Sequence, residues 1–173
     1  HPHDLPFHLA RKFGDKAQMV YERLTTLFEY LCLAVIVNKK YVMLHGGVPS
    51  KANSIEDVAY ACEKHPVESH LEEILWSDPV ENIGGTHFSP RGAGRLFGKD
   101  VTNRFLKLLD AQMIIRGHEP TEDGYKINHD GKVLTLFSRK GAPYYNQHGA
   151  YLQLNLSENF GNAWQIRRFL MRI

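Results

Sequence analysis

Residues 41–50, YVMLHGGVPS, run from a short apolar stretch straight into a histidine and two glycines. Tyr41 to Leu44 have the composition of a buried strand. His45 stands at its exit, and in open α/β sheets ligands gather at the carboxyl ends of strands, where loops vary over a rigid sheet. Gly46 and Gly47 remove every Cβ beside it, which would let a bulky group, or a metal with its bound anion, approach the backbone. The arrangement recurs in QMIIRGHE, residues 112–119, an apolar run that reaches His118 through a glycine. A single strand-end histidine is either a hydrogen-bonded core residue or a ligand. Two of them in one sheet strengthen the ligand reading, because neutral imidazole is the commonest metal ligand. Two imidazoles alone do not complete a catalytic site.

Around these two strands the periodicity is mixed. Residues 15–30 space Ala17, Val20, Tyr21, Leu24, Leu27 and Phe28 as one face of an amphipathic helix. LAVIV and YVMLH, separated by a turn at Asn38, read as a hairpin. Ser54 with Asp57, and Ser69 with Glu72, resemble capping boxes and predict helices near 55–64 and 70–75. Residues 80–98 hold Gly84, Gly85, Gly92, Gly94, Gly98 and Pro90 and read as a long ordered-looking loop, a class that in compact domains is functional or disordered. A helix over 99–111 follows, then the QMIIRGHE strand, two strands about the Asp130-Gly131 turn, and an alternating strand in AYLQLNL. The final residues predict a docking helix or a terminal strand.

The bulk properties narrow the class. A chain of 173 residues suits one domain or a large piece of one. With 43% hydrophobic and 23% charged residues it reads as globular, and a net charge of +2 without a dense basic block predicts no nucleic-acid partner. The longest apolar run, LCLAVIV, is far short of the roughly 20 residues that span a bilayer. No membrane partner and a cytoplasmic location are therefore expected. Cys32 and Cys62 form no ligand spacing and read as reduced core residues. The chain opens on His1 and not on methionine, which suggests a processed or truncated product.

Arg91, in the glycine-rich loop, brings a planar guanidinium that can grip a phosphate or carboxylate with two bonds, or else stand solvated at the surface. In LWSDP, residues 75–79, Trp76 reads as a core side chain and Asp78 as a turn residue or an acid that orients an arginine. P-loop, GxSxG and HExxH signatures are absent from the sequence. Neither cysteine has the polar neighbours that activate a thiol.

In order, HGG, LWSDP, RGAGRLFG, RGHE with GY shortly after, and LTLFS resemble the C-terminal half of the calcineurin-like serine/threonine phosphoprotein phosphatases of the metallophosphoesterase superfamily. The likeness runs from about residue 13 to 156. SPRGAGRLFG and FSRKGAPYYN look more like archaeal and bacterial members. The resemblance implies an α/β fold: the C-terminal half of a four-layer α/β/β/α sandwich with mixed sheets, over residues 1–156, with 157–173 as a tail. It implies a hydrolase that cleaves phosphoserine and phosphothreonine with two divalent metal ions, Mn, Fe or Zn, and an activated water. His45 and His118 would be metal ligands, Arg91 would hold the phosphoryl oxygens, and Asp78 would support the network. Tyr144 or Tyr145 would line the substrate site.

The family's remaining ligand motifs, Gly-Asp-x-His-Gly, Gly-Asp-x-x-Asp-Arg-Gly and Gly-Asn-His-Glu, do not occur in this chain. His1 and His3 lie in surroundings that match none of them. The chain is thus expected to be inactive alone, with the N-terminal half of the domain as its missing partner. Two other readings share the same motifs: a phosphodiesterase or dinucleoside-polyphosphate hydrolase of the superfamily, and a non-catalytic phosphatase-like binding module.

Overall fold

A computed structural model describes residues 4–173, so His1 and His3 lie outside the described residues. Two compact units are resolved, divided between Cys32 and Leu33. The first holds helix α1 (Leu5–Phe13), a 3-10 turn over Gly14–Lys16 and helix α2 (Ala17–Glu29). Sequence periodicity reads α2 and misses α1. Pro6 stands in the first turn of α1, where its missing N–H would have had no helical partner in any case.

The second unit is built on a five-stranded sheet of order β1-β2-β6-β8-β7. Its strands are β1 (Ala34–Val37), β2 (Tyr41–Leu44), β6 (Met113–Arg116), β7 (Tyr125–Asn128) and β8 (Val133–Leu136). The sheet is mixed: β2, β6 and β8 run parallel, and β1 and β7 are antiparallel at its edges. Each edge strand reaches its neighbour through a turn that needs left-handed backbone. Asn38 and Lys39 have φ of 52° and 54°, and His129, Asp130 and Gly131 follow suit at the second turn. Asparagine, aspartate and glycine tolerate that region best.

The parallel strands are buried on both sides, which explains their continuous apolar runs. Alternation sends Val42, Leu44, Ile114 and Val133 to one face, against Val101, Phe105 and Leu106 of helix α6 (Lys99–Leu108). Tyr41, Met113, Ile115 and Leu134 face the other way, toward Phe160, Ala163 and Ile166. The last three belong to the final segment, in which helix α7 (Ala163–Ile166) leads to strand β10 (Leu170–Arg172). Strand β10 pairs antiparallel with β9 (Ala150–Leu152).

Between β2 and α6 lie helices α3 (Ile55–Ala59), α4 (Ala61–Lys64) and α5 (His70–Trp76), then a small sheet of order β3-β5-β4. The capping box at Ser54 forms in full: its side chain accepts from the Asp57 N–H and the Asp57 carboxylate accepts from the Ser54 N–H. The one expected at Ser69 does not. Ser69 Oγ instead donates to the buried Glu73 carboxylate at 2.7 Å, so tertiary burial of Glu73 captures the hydroxyl that would have capped the helix. The glycine-rich stretch 80–98, expected as an ordered loop, also contains short strands. Strands β3 (Asp78–Pro79), β4 (Thr86–Phe88) and β5 (Arg95–Phe97) are too short to print a period on the sequence. Cys32 and Cys62 are both free and both exposed, against the core positions their apolar neighbours suggested. Among the described residues no helix is long and apolar enough to cross a membrane.

Candidate active site

Parallel register builds the site. Leu44 pairs with Arg116 as β2 runs beside β6, so both chains leave the sheet at the same level and Gly117 N–H donates to the His45 carbonyl at 3.0 Å. The two imidazoles are thereby brought together, His118 Nδ1 lying 3.3 Å from His45 Nε2. His118 adopts φ of 69°, a left-handed conformation that a non-glycine residue adopts at some cost and that bends its ring back toward its neighbour.

The glycines after His45 serve a different contact from the one their composition suggests. A Cβ on Gly46 would lie 2.6 Å from the Leu75 carbonyl carbon and oxygen, and one on Gly47 would lie 2.7 Å from Ser77. Their N–H groups donate to the Ile74 carbonyl at the end of α5. The cleared space is therefore filled by the chain's own backbone, which docks LWSDP against HGG. Gly94, with φ of +65°, repeats the device, because its Cβ would meet the Trp76 carbonyl carbon at 2.5 Å. Gly94 N–H donates to Glu72 and Arg95 N–H to Ser77 Oγ, which ties the arginine loop to the same segment.

These close approaches converge on Asp78, a buried residue. Its Oδ1 accepts from Arg116 Nη2 at 2.7 Å and its Oδ2 from Arg91 Nε at 3.0 Å. Trp76 is partly exposed and sets its ring edge-on to His118, with centroids 5.5 Å apart. Asp78, Arg91, Glu119 and Lys126 line one cleft of about 420 Å³. The tyrosines sit apart from the histidine pair: Tyr144 meets Phe137 edge-on and Tyr145 is exposed. Among the described residues neither forms a hydrogen bond or ring contact with His45 or His118.

Electrostatics keep the imidazoles neutral. Burial pushes the pKa of His118 down to about 4, with Arg116, His45 and Arg91 adding to the push and Asp78 opposing it. His45 is lowered by burial and then by Arg116. A neutral imidazole offers a lone pair, and two metal-bound nitrogens at roughly 2.0–2.1 Å from one tetrahedral ion stand roughly 3.3 Å apart. The pair therefore fits a shared divalent ion. His118 Nε2 is buried without a hydrogen-bond partner.

A second cluster, Asp57, Glu68 and His70, lies in a separate cleft of about 540 Å³. Lys64 Nζ stands 2.6 Å from Asp57 and 3.6 Å from Glu68, so an ammonium already supplies the cation there. That hydrogen bond holds the Asp57 carboxyl well below the usual range and raises Lys64.

Sequence reasoning singled out His45, His118, Arg91 and Asp78, and the fold gathers all four. It passed over Arg116, whose signal, a charged residue closing an otherwise apolar strand, was present in IIR. It also left Glu119 and the ring of Trp76 without a place beside them.

The sequence profile of the calcineurin-like phosphoesterases matches residues 3–122. The chain belongs to that family. A probable serine/threonine-protein phosphatase of Encephalitozoon cuniculi is 40% identical over 155 residues, 86% of this chain and 33% of that protein. A protein phosphatase 2A catalytic subunit of Dictyostelium discoideum is 39% identical over 137 residues, 78% of this chain and 42% of its own length. A solved protein serine/threonine phosphatase from Saccharomyces cerevisiae, described as similar to human phosphatase PP5, superposes with a TM-score of 0.70 at 26% identity. That match covers 95% of this chain and 52% of the yeast one, and bears out the expected α/β fold with mixed sheets. This member thus spans only 33% to 42% of these two curated relatives. All three are eukaryotic, which corrects the archaeal or bacterial character read from the glycine-rich and tyrosine-containing loops.

Proposed function

We propose that this chain carries part of the active site of a metal-dependent serine/threonine protein phosphatase. The observation that carries the reading is the pair of neutral imidazole nitrogens 3.3 Å apart at the ends of adjacent parallel strands, beside an arginine aimed by a buried carboxylate. The named phosphatase relatives support the substrate class, phosphoserine and phosphothreonine in proteins.

His45 and His118 would hold one divalent ion, Mn, Fe or Zn, through Nε2 and Nδ1. The family generally uses two metal ions, and when bound they neutralise phosphoryl charge and activate a water for in-line attack. The chain's own contribution is positional. Among the described residues the terminal nitrogens of Arg91 make no hydrogen bond, while its Nε is held by Asp78. They are free to make two parallel bonds to phosphoryl oxygens, where charge accumulates in transfer. Asp78 is a positioning residue for that arginine. Trp76 walls one side of His118 and limits water on that face. Tyr144 and Tyr145 are proposed to reach a protein substrate from the neighbouring loop.

The test is phosphate release from a phosphoserine peptide by the native protein that bears this sequence, with and without added Mn. Metal-dependent turnover that His118→Ala and Arg91→Ala each abolish is expected, with the isolated 173-residue chain near background. Turnover of nucleotide phosphodiesters but not of the peptide would overturn the reading.

A further inference from the structure

We infer that Arg116 is a positioning residue for Arg91, acting through Asp78; this rests on the reading of Arg91 as the phosphoryl grip. Arg116 closes β6 two residues before His118, and strand alternation sends its side chain to the α6 face of the sheet together with Thr135 of β8. There it is completely enclosed, with a side-chain exposure of 0%.

An enclosed guanidinium persists only if its charge is matched, since an unpaired buried charge is strongly destabilising. Arg116 Nε is buried without a hydrogen-bond partner, so the match falls to the two terminal nitrogens. Nη2 donates to Asp78 Oδ1 at 2.7 Å, and Nη1 reaches Thr135 Oγ1 at 3.3 Å and Glu119 Oε2 at 3.4 Å. Glu119 is itself braced by Lys126 at 3.6 Å. Asp78 therefore has one oxygen committed to an immobile partner and the other to Arg91. The two guanidiniums differ in one decisive respect, because the Arg91 side chain is 39% exposed and its far end opens on the cleft. One end of the relay is fixed in the core and the other works at the surface.

The fork is essential to this arrangement. A lysine at 116 would keep the charge but place one compact ammonium where three acceptors lie in different directions. It would release Asp78 to turn, and Arg91 with it.

Two measurements decide the matter. In the 173-residue chain, the Nε–H of Arg91 is followed by nitrogen-15 NMR, its signal assigned by its loss in Arg91→Lys. Arg116→Lys and Arg116→Met are expected to raise its exchange rate about tenfold while the methyl fingerprint of the core stays native. In the native protein, a double-mutant cycle between Arg116→Lys and Arg91→Ala on phosphopeptide kcat/KM is expected to be non-additive, the pair losing little more than Arg91→Ala alone. An unchanged Nε–H exchange rate, or additive losses, would overturn the inference. If the Arg116 variants fail to fold, Glu119→Gln loosens the same clamp from its partly exposed side, and its failure to raise the exchange rate by about threefold counts against the relay. Absence of phosphopeptide turnover in the wild-type protein refutes the phosphatase reading alone, since the NMR result still decides whether Arg116 fixes Arg91.

Discussion

His118 Nδ1 and His45 Nε2 stand 3.3 Å apart because β6 and β2 are parallel neighbours in register, 73 residues apart in sequence. Neither ring is fully enclosed, and among the described residues neither is hydrogen-bonded to a carboxylate that would make it a cation.

That geometry predicts metal affinity from both rings together. His45→Ala and His118→Ala should each weaken Mn or Zn binding by about 100-fold or more, beyond the 10–100-fold that loss of an outer partner costs. Isothermal titration measures it, and Trp76, edge-on to His118, gives a second readout by fluorescence. Equal affinity in wild type and both variants would place the ion elsewhere.

Protonation should follow the burial of His118. Its pKa is depressed from 6.5 to about 4, so between those values the unfolded chain binds a proton that the folded chain does not. Stability must then rise with pH across that window, and the gain is lost as pH falls toward 4. Urea midpoints from about pH 4 to 7 should show the slope, and His118→Gln should flatten it.

The glycine at 46 is a packing requirement. Gly46→Ala drives a methyl group to 2.6 Å from Leu75 backbone, which cannot give as a side-chain tip can. A loss of about 1–3 kcal/mol is expected, the range for overpacking a filled site. An unchanged melting temperature would show that the α5 end moves aside.

The two serine sites should separate in their effects. Ser54→Ala removes a complete capping box and should cost about 1 kcal/mol. Ser69→Ala takes a hydrogen bond from a carboxylate that is 1% exposed, and should cost about 1.5–3 kcal/mol. Denaturant titration of both variants gives the comparison, and a larger loss at Ser54 would contradict the assignment.

Much of this was legible locally. The apolar runs 41–44 and 113–115 specify buried strands, the Asn38 and Asp130-Gly131 turns specify hairpins, and the motif series HGG to RGHE points to the family. Those signals survive because strand burial, left-handed turns and capping are satisfied by residues within a few positions of one another. Strands of two or three residues, β3, β4 and β5, left none, since they are held by pairing partners up to 18 residues away.

The sequence by itself determined which residue types were available for chemistry: two strand-end imidazoles, Arg91 in a glycine-rich loop, one aspartate before a proline. Only the tertiary structure decided how they are used. It assigned Gly46, Gly47 and Gly94 to the docking of three loops, turned the Ser69 hydroxyl from helix capping to the buried Glu73 carboxylate, and buried Arg116 against Asp78. Each of these is set by burial in the assembled fold, and a buried charge accepts whichever partner the fold brings within about 3 Å.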